Sequence, residues 1–434
     1  MNKETVKQRV CEEIDRHAEE IRRIGRDISG MAELGYKEEK TSAYIRQEFD
    51  RMNLEHTDHL GVTGIKARLK GKSSAYQAAI IGEMDAVKCD GHPDANPQTG
   101  AAHACGHHAQ SAMMLGAAMG LYYSEAWKYL DGDVVFMAMP AEEFVELDYR
   151  KSLKQKGLIR CCSGKQEWIT RGYFDGIDAA MMVHSHAGTP GRKAYLNGSS
   201  SAFLAMSVRF RGKEAHAGGA PHEGINALNA AMASMMCMHA LRETFRDEDK
   251  IRVHPILTKG GDLVNIVPAD VRMEMYVRGA TMEAVRDAAA KVKRAIQGAS
   301  YAIGATAEIE VIPGYQSLEQ NQKLSALFRE NLVSFIKEED ICEGVDLIGS
   351  TDMGDLSGLI PVIQPTMGGY EGSAHSEEFR IVDEEMAYLI PAKALAMTAV
   401  DLLWDNGKAL RDVKEQFQPR FTREEYEKVL QDTE

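Results

Sequence analysis

Four side chains that can bind transition metals are crowded into the six-residue sequence HACGHH: His103, Cys105, His107 and His108. Thiolate and imidazole are ligands that zinc and similar divalent ions prefer. Residues two apart point away from each other in a helix, but they can converge in a turn, and Gly106 permits an unusual backbone. The stretch predicts a metal site. The alternative is a core cysteine with histidines on the surface.

Two adjacent carboxylates, Glu142 and Glu143, follow the apolar run VVFMAMPA. Neighbouring buried charges need compensation, because an unpaired buried charge is very costly. A divalent cation would supply it, and the two acids then divide into a metal ligand and a base that takes a proton from water. The alternative is an exposed pair of glutamates at the start of a loop.

Further candidates come at the ends of apolar runs or in loops. Glu83 and Asp85 end one such run, and His184 and His186 end another. His375 lies in GSAHSEEF, a loop rich in glycine and serine, where a site residue is more plausible than a core residue. A surface position is the simpler alternative for a lone histidine.

Helices alternate with apolar strands in most of the chain, which predicts an α/β domain with a sheet covered on both faces. The predicted helices are 5–28, 42–52, 108–123, 321–337, 384–404 and 423–430, and the strands 62–69, 77–84, 133–139 and 178–184.

A second domain is predicted between residues 199 and 314, because the order of elements there is β-α-β-β-α-β, the ferredoxin-like order. Its strands are 203–210, 251–259, 271–277 and 306–312, and its helices 225–244 and 282–297. Residues 1–198 and 315–434 would form the discontinuous first domain.

The charge balance excludes some partners. Lys and Arg number 51 against 65 Asp and Glu, a net charge of −14, which argues against non-specific nucleic-acid binding and against anionic membranes. We find no apolar run near the roughly 20 residues of a membrane span. The charged N-terminal segment lacks a secretory signal, so a cytoplasmic protein is expected. The seven scattered cysteines do not suggest a disulfide framework.

A basic segment, residues 150–171, carries seven Lys or Arg and a single acid, Glu167. Most charge runs are solvated faces, so a surface excursion is the favoured interpretation. A basic flap beside the pocket is the alternative.

Seven motifs, in order over nearly the whole chain, resemble one family. They are GEMDA, HACGHH, PAEE, MVH, GKEAHAGGAPHEGINAL, NIVPADV and AHSEEF. The chain resembles the metallo-amidohydrolase and carboxypeptidase family of hippurate, indole-acetyl-amino-acid and aminobenzoyl-glutamate hydrolases. Residues 277–305 and 349–358 look most like the aminobenzoyl-glutamate hydrolase branch. The resemblance implies a zinc-peptidase-like α/β catalytic domain with an inserted ferredoxin-like dimerisation domain.

The resemblance also implies a two-metal site, and its roles fall on matching residues. The implied metal ligands are Cys105, His107, Glu143, His184 and His375, with the Cys105 thiolate between the two ions. Glu142 matches the general base. Asp85 matches an acid that contacts a metal ligand, and not the metal, and so orients that ligand. His216 matches a histidine that reaches the partner's site across a dimer. Asn265 and Arg278 match positions that bind the substrate carboxylate.

Three departures from the family pattern bear on metal preference and substrate. The family usually has Asp where this chain has His108, Asp-x-Asp where it has Glu83 and Asp85, and Leu-Pro at Val87–Lys88. The basic segment is also longer than usual. His108 could compete as a ligand, but the register of the motif favours His107.

The sequence thus predicts a homodimeric amidohydrolase acting on N-acyl or N-aroyl amino acids such as aminobenzoyl-glutamate. Two zinc or manganese ions are expected in each protomer, with cobalt a further option. A dipeptidase or deacylase of the same chemistry is the alternative. A metal-binding protein without turnover is the third hypothesis, and the retained Glu142 makes it the least favoured.

Overall fold

The computed structural model describes residues 1–347 and 349–433, and their contacts divide the chain into two compact units. The first unit comprises Met1–Ser199, Glu319–Asp346 and Asp355–Arg423, and the second Ser200–Leu318, Leu347–Gly354 and Glu424–Glu434. The domain limits predicted from the sequence, 199 and 314, stay a prediction, because these two units are defined by contacts alone.

A six-stranded sheet forms the centre of the first unit. Its strands, in spatial order, are Glu55–Leu60, Gly64–Leu69, Asp133–Met139, Gln77–Glu83, Ala179–Met181 and Val362–Ile363. The first two pairs of neighbours are antiparallel, and the three pairs from Asp133–Met139 onward are parallel. All seven residues of Asp133–Met139 are buried, as its continuous apolar character predicts. Parallel neighbours bring Glu83 and the turn after Met139 to one edge of the sheet.

Helices and short strands complete the first unit. The helices are Lys3–Arg16, Ala18–Ser29, Glu39–Arg51, His107–Tyr123, Leu147–Gln155, Gly164–Thr170, Gln322–Leu332, Ile390–Leu403 and Lys408–Gln416, with Met353–Ser357 and Arg423–Gln431 at the unit limits. A small sheet has the order Ile341–Glu343, Ala194–Leu196, Thr366–Met367, His184–Ser185. Two further pairs are Val87–Lys88 with Ala101–Ala102, and Tyr370–Glu371 with Arg380–Ile381.

The helix His107–Tyr123 passes through the core, where small residues allow close packing. A Cβ on Gly120 would lie 2.6 Å from the Ile14 side chain of the first helix, and one on Gly116 would lie 3.1 Å from Ala392. Both distances are at or below ordinary contact, so larger residues would push the neighbouring helices away. The helix that carries His107 is therefore held rigidly by its neighbours.

The second unit has the ferredoxin-like order that the sequence predicts. Its antiparallel sheet has the order Arg252–Lys259, Asp270–Gly279, Ala202–Arg211, Thr306–Pro313. Helices Ala227–Ala240 and Met282–Ile303 pack on it, and alternate strand residues such as Met273, Met275 and Val277 are buried beneath them.

Two helix predictions need correction. The single helix expected over residues 5–28 is broken at His17, whose ring stacks on Tyr123 at a centroid distance of 4.5 Å. The helix expected over 384–404 begins as a π-helix, Glu385–Leu389, and continues as Ile390–Leu403.

One helical stretch, Glu385–Leu403, has the length and composition that could cross a membrane, contrary to the expectation from the sequence. It is completely buried inside the structure. Its neighbours are the helices His107–Tyr123 and Gln322–Leu332, so it serves as a core helix of the first unit.

Candidate metal centre

Gly106 lets Cys105 and His107 converge. It has a φ of +91°, a left-handed conformation that side chains rarely adopt, and the helix His107–Tyr123 starts directly after it. A Cβ here would also lie 2.9 Å from the Cβ of Ser185. The Ser185 hydroxyl donates to the Cys105 carbonyl oxygen at 2.7 Å, which ties the turn to the strand that carries His184.

Asp85 orients His107. The Nδ1 atom of His107 lies 2.9 Å from the Asp85 carbonyl oxygen and 3.1 Å from its Oδ1. A carbonyl oxygen only accepts, so Nδ1 carries a proton, and Nε2 is the ring atom that could ligate a metal. The other carboxylate oxygen of Asp85 accepts from the backbone N–H of Glu143 at 2.8 Å. Asp85 therefore fixes one imidazole and one of the paired acids together.

His184 is presented in the same way. Its Nδ1 lies 2.9 Å from the Ser185 carbonyl oxygen, so Nε2 is the free ligand atom, and it lies 3.7 Å from the Cys105 Sγ. His375 comes from a loop in which its own φ is +61°, and its backbone N–H donates to the Ala104 carbonyl oxygen at 2.8 Å. Residues far apart in sequence are thus joined around Cys105.

Two groups of ligand atoms share the Cys105 thiol. In each group the ligand atoms lie within 4.8 Å of one another. The groups are Cys105 with His107 and His184, and Cys105 with Glu143 and His375. Thiolate, imidazole and carboxylate fit zinc and related divalent ions, and a shared thiolate would lie between two of them. The five residues that the resemblance names as ligands therefore lie together in the first unit.

Two buried atoms of the cluster, His107 Nε2 and Glu143 Oε1, have no hydrogen bond of good geometry. Each nevertheless has a charged neighbour at 3.1 Å, Glu83 Oε2 beside His107 Nε2 and His375 Nε2 beside Glu143 Oε1. Buried polar atoms are nearly always hydrogen-bonded, so orphaned atoms need an explanation. Ligand atoms that are aimed at a common point, rather than at each other, fit a bound cation.

The electrostatics of the cluster also favour cations. Burial and the Glu143 charge act to raise the pKa of Cys105, but His107 and His184 lower it to about 6. The carboxylate of Glu143, together with Cys105, raises the pKa of His375 to about 11. Thiolate and carboxylate thus draw positive charge to the site, which two divalent ions would supply in place of protons.

Glu142 is positioned by a strained turn. Ala141 before it has a φ of +54°, which a non-glycine residue keeps only when the surroundings enforce it. The backbone N–H of Ala141 donates to Glu38 Oε1 at 2.8 Å, and Arg150 donates to the carbonyl oxygens of Ala141 and Glu143. The Oε2 atom of Glu142 lies 4.0 Å from His107 Nε2. The turn therefore aims Glu142 at the cluster.

Replacing Arg150 with Met should lower the thermal unfolding midpoint. Arg150 is 1 % exposed and also donates to the Cys162 carbonyl oxygen. Since each buried group left without a partner costs about 1–3 kcal/mol, the midpoint should fall by roughly 5–10 °C, measured by calorimetry. Lys156→Met, an exposed change in the same segment, is the control and should leave the midpoint unchanged. Equal midpoints for both variants would contradict the role of Arg150.

The basic segment is a solvated excursion only in part: residues 155–158 are exposed, as the favoured interpretation from the sequence predicts, but its C-terminal helix is buried. Helix Leu147–Gln155 extends into it, and it contains helix Gly164–Thr170, of which every residue is buried. Lys165 is 0 % exposed and pairs with Glu83. The charge run did not reveal partners that lie many residues away in sequence. The apolar pair Trp168–Ile169 was a local signal of burial.

His103 and His108 lie beside the cluster but outside it. Both are buried, with ring centroids 5.2 Å apart, and His108 also contacts the ring of Tyr388. Burial and His107 lower the pKa of His108 to about 3, so it is neutral. Among the described residues, the groups that could hold a metal include His107 and neither of its two histidine neighbours.

The remaining predicted site residues lie in the second unit. His216 is exposed, and its Nδ1 accepts from the backbone N–H groups of Gly218 and Gly219 at 3.2 and 2.9 Å. Its Nε2 therefore carries the proton and is a free donor. The backbone of Asn265 lies close to His216 in space, because the Asn265 backbone carbonyl oxygen accepts from the backbone N–H of Ala217 at 2.9 Å.

Arg278 lies near the end of strand Asp270–Gly279 in the same unit. Its guanidinium is 5.2 Å from the ring centroid of Phe203 and 5.3 Å from that of Tyr276. It also donates to the Ser350 hydroxyl at 2.8 Å. Stacked rings restrict a guanidinium and keep its donors in a fixed plane, which suits recognition of a carboxylate.

Comparison with known proteins shows which proteins this chain resembles. The profile of the M20 peptidase dimerisation domain matches residues 199–302. The Xaa-Arg dipeptidase of Mus musculus is 28% identical over 446 residues, which cover 97% of this chain and 94% of the dipeptidase. The chain therefore has M20 peptidases and amidohydrolases among its homologues.

Other known proteins are similar to this chain. The indole-3-acetyl-aspartic acid hydrolase of Enterobacter agglomerans is 26% identical, over 80% of this chain and 78% of that protein. A dinuclear metal-binding M20 peptidase from Bacillus subtilis has a similar fold, with a TM-score of 0.65 and 22% identity, covering 88% of this chain and 98% of that one. The predicted two-domain fold, with its M20 dimerisation domain, is confirmed. With the ligand groups around Cys105, the chain is a metal-dependent hydrolase.

Proposed function

We propose that this M20 protein hydrolyses the amide bond of N-acyl or N-aroyl amino acids. Its metal ligands are proposed to be Cys105, His107, Glu143, His184 and His375. The observation that carries the proposal is the pair of ligand groups that share the Cys105 thiol, next to an acid that neither group uses. A binding site without turnover would have no need for that acid, Glu142.

Two divalent ions bound here would supply water of lowered pKa, from 15.7 toward roughly 7, and would polarise the amide carbonyl. Glu142 takes the proton from the attacking water and later returns it to the leaving amine. Its fixed turn keeps the carboxylate near the cluster, so no reorganisation is needed at that step. Zinc suits the thiolate and imidazoles, while the carboxylate also admits manganese or cobalt.

The second unit is proposed to bind the substrate. The Arg278 guanidinium holds the carboxylate of the amino-acid portion through paired hydrogen bonds, and Asn265 adds an amide donor. The Nε2–H of His216 is proposed to donate to the developing oxyanion in the partner's site, a type of contact worth roughly 3–4 kcal/mol.

We also propose that the enzyme is cytoplasmic.

A second candidate is a dipeptidase of the same chemistry. The match to the Xaa-Arg dipeptidase favours it, because that match spans nearly the whole chain. Both substrate classes have a free carboxylate and an amide carbonyl. They differ in the acyl group and in the side chain of the released amino acid.

A substrate panel should separate the two candidates. Metal-free protein is reloaded with Zn²⁺, Mn²⁺ or Co²⁺ and assayed on aminobenzoyl-glutamate, other N-acyl amino acids and Xaa-Arg dipeptides, with release of free amino acid as the readout. We expect metal-dependent release from at least one N-acyl or N-aroyl amino acid. Cleavage of dipeptides alone would replace the leading candidate with the second. Bound metal without hydrolysis of any substrate would contradict both.

The second unit is proposed to form a homodimer. Strand Arg252–Lys259 is at an edge of its sheet and exposes Ile256 and Leu257, while helix Ala227–Ala240 exposes Met232 and Met236. An edge strand with exposed apolar side chains is a ready pairing surface.

Mixing two inactive variants should restore activity if His216 acts across the dimer. His216→Ala and Glu142→Gln protomers, dissociated and reassociated together, form mixed dimers in which one site has both intact residues. Random mixing should restore roughly a quarter of wild-type activity, because half of the dimers are mixed. Mixed dimers that form, as judged by mass spectrometry of tagged protomers, but stay inactive would refute the cross-subunit role.

A further inference from the structure

A third group of ligand atoms lies in the same centre and includes a residue to which the resemblance gives no role. Glu83, His107 and Glu142 offer atoms that lie within 4.8 Å of one another. Glu83 ends the strand Gln77–Glu83 and is 0 % exposed. Its Oε2 lies 3.1 Å from His107 Nε2, the atom aimed at the metals. Glu83 is therefore close enough to become a ligand itself.

Both oxygens of Glu83 are already engaged. Lys165 Nζ forms an ion pair with Oε1, and Gln110 Nε2 donates to Oε2 at 2.7 Å. The Lys165 side chain is 0 % exposed, so this ion pair is completely buried. Breaking such a pair from one side is costly, because it leaves an uncompensated charge in the interior.

The backbone is fixed at the same point. The Glu83 N–H donates to Gln110 Oε1 at 3.3 Å, and the Ser111 hydroxyl donates to the Glu83 carbonyl oxygen at 2.8 Å. Gln110 and Ser111 belong to the helix that begins at His107, whose packing allows little movement. The Glu83 carboxylate can reach the metals only by giving up Lys165 or Gln110.

We propose that Lys165, with Gln110, keeps Glu83 from ligating the metals, so that the position beside His107 stays open for the reacting water. The inference rests on the proposed metal centre. Lys165 is a positioning residue, because it acts through Glu83. The buried basic segment thereby gains a role, since helix Gly164–Thr170 delivers the ammonium.

Removing the ammonium should change metal affinity and turnover in opposite directions. In Lys165→Met the freed Glu83 oxygen needs a positive partner, and the nearest available one is the metal at His107. A fourth protein ligand closes the position that catalysis keeps open, so the metal binds more tightly and hydrolysis slows. If Lys165→Met only disturbed the packing, it would weaken both metal binding and hydrolysis.

The test uses full-length protein, with Zn²⁺ affinity measured by competition with a chromophoric chelator and kcat measured at saturating Zn²⁺. For Lys165→Met we expect affinity to rise about 10-fold and kcat to fall about 10–100-fold, the range typical of residues behind metal ligands. Adding Glu83→Gln to that variant should return the affinity to within about threefold of wild type, since an amide is a poor ligand. Lys156→Met is the matched control and should resemble wild type.

Unchanged or weaker zinc binding in Lys165→Met overturns the proposal, and so does tight binding that persists in the double variant. If Lys165→Met does not fold, Gln110→Ala decides, because it frees the oxygen nearest His107 and should also bind zinc more tightly and turn over more slowly. Equal or weaker binding in Gln110→Ala then overturns the proposal. Cys105→Ala distinguishes a failure of this inference from a failure of the proposed metal centre. If Cys105→Ala keeps its zinc, the proposed metal centre is wrong, whatever the result for Lys165→Met.

Discussion

Glu142→Gln should lower kcat by about 10²–10⁴-fold while the protein keeps its full complement of metal. The amide has nearly the volume of the carboxylate, but it cannot take a proton from water. Glu142 is absent from both groups that share Cys105, so its loss should leave metal binding intact. Its Oε2 lies 4.0 Å from His107 Nε2, which places it beside the atoms that would hold the metal.

The measurement for Glu142→Gln pairs steady-state kinetics with metal analysis of the same sample. Glu146→Gln is the matched control, because Glu146 lies on the same loop and pairs with Lys37 at 2.7 Å, away from the cluster. We expect the control to keep wild-type kcat. A Glu142→Gln enzyme that retains most of its activity would refute the proton transfer. Loss of metal along with activity would instead make Glu142 a ligand.

Cys105→Ala should remove both metals and reduce activity at least about 10³-fold, because both ligand groups contain this thiol. Each group would keep only its other two side chains, too few to hold a divalent ion against a chelator. The substitution also leaves the buried atoms His107 Nε2 and Glu143 Oε1 without the thiolate beside them. Folding should persist, because alanine is also a small apolar residue and the Cys105 backbone carbonyl oxygen still accepts from the Ser185 hydroxyl.

Metal content by mass spectrometry, after dialysis against a weak chelator, measures this effect. Cys342→Ala, which deletes a free thiol outside the cluster, is the control and should retain both ions. A Cys105→Ala protein with one ion left would mean that the thiol serves a single site. Two ions left would contradict the shared-thiolate arrangement.

Much of the site could be predicted because its residues carry local signals. Acids that end apolar strands, as Glu142 and Glu143 do, must gather at the sheet edge where parallel strands end. Gly106 between two potential ligands indicated a turn, and the structure has one there. The insertion was predictable because its six elements follow one another without interruption.

Residues that hold the site from outside could not be predicted. Glu83 and Lys165 are 82 residues apart, and a lysine in a basic run gives no sign of a distant buried partner. The same holds for Arg150, which binds backbone carbonyl oxygens that have no signature in sequence. Residues 347–354 belong to the second unit by their contacts, such as that between Ser350 and Arg278, although the chain has by then returned to the first.

The Cys105 thiolate shared between two metals is the feature on which the proposed chemistry depends. Crystals loaded with Zn²⁺ and measured on both sides of the zinc absorption edge test it directly. We expect two anomalous peaks, one bound by Cys105, His107 and His184 and the other by Cys105, Glu143 and His375, with Sγ as a ligand of both. A single peak, or two peaks of which either lacks the Cys105 sulfur, would contradict the two-metal centre.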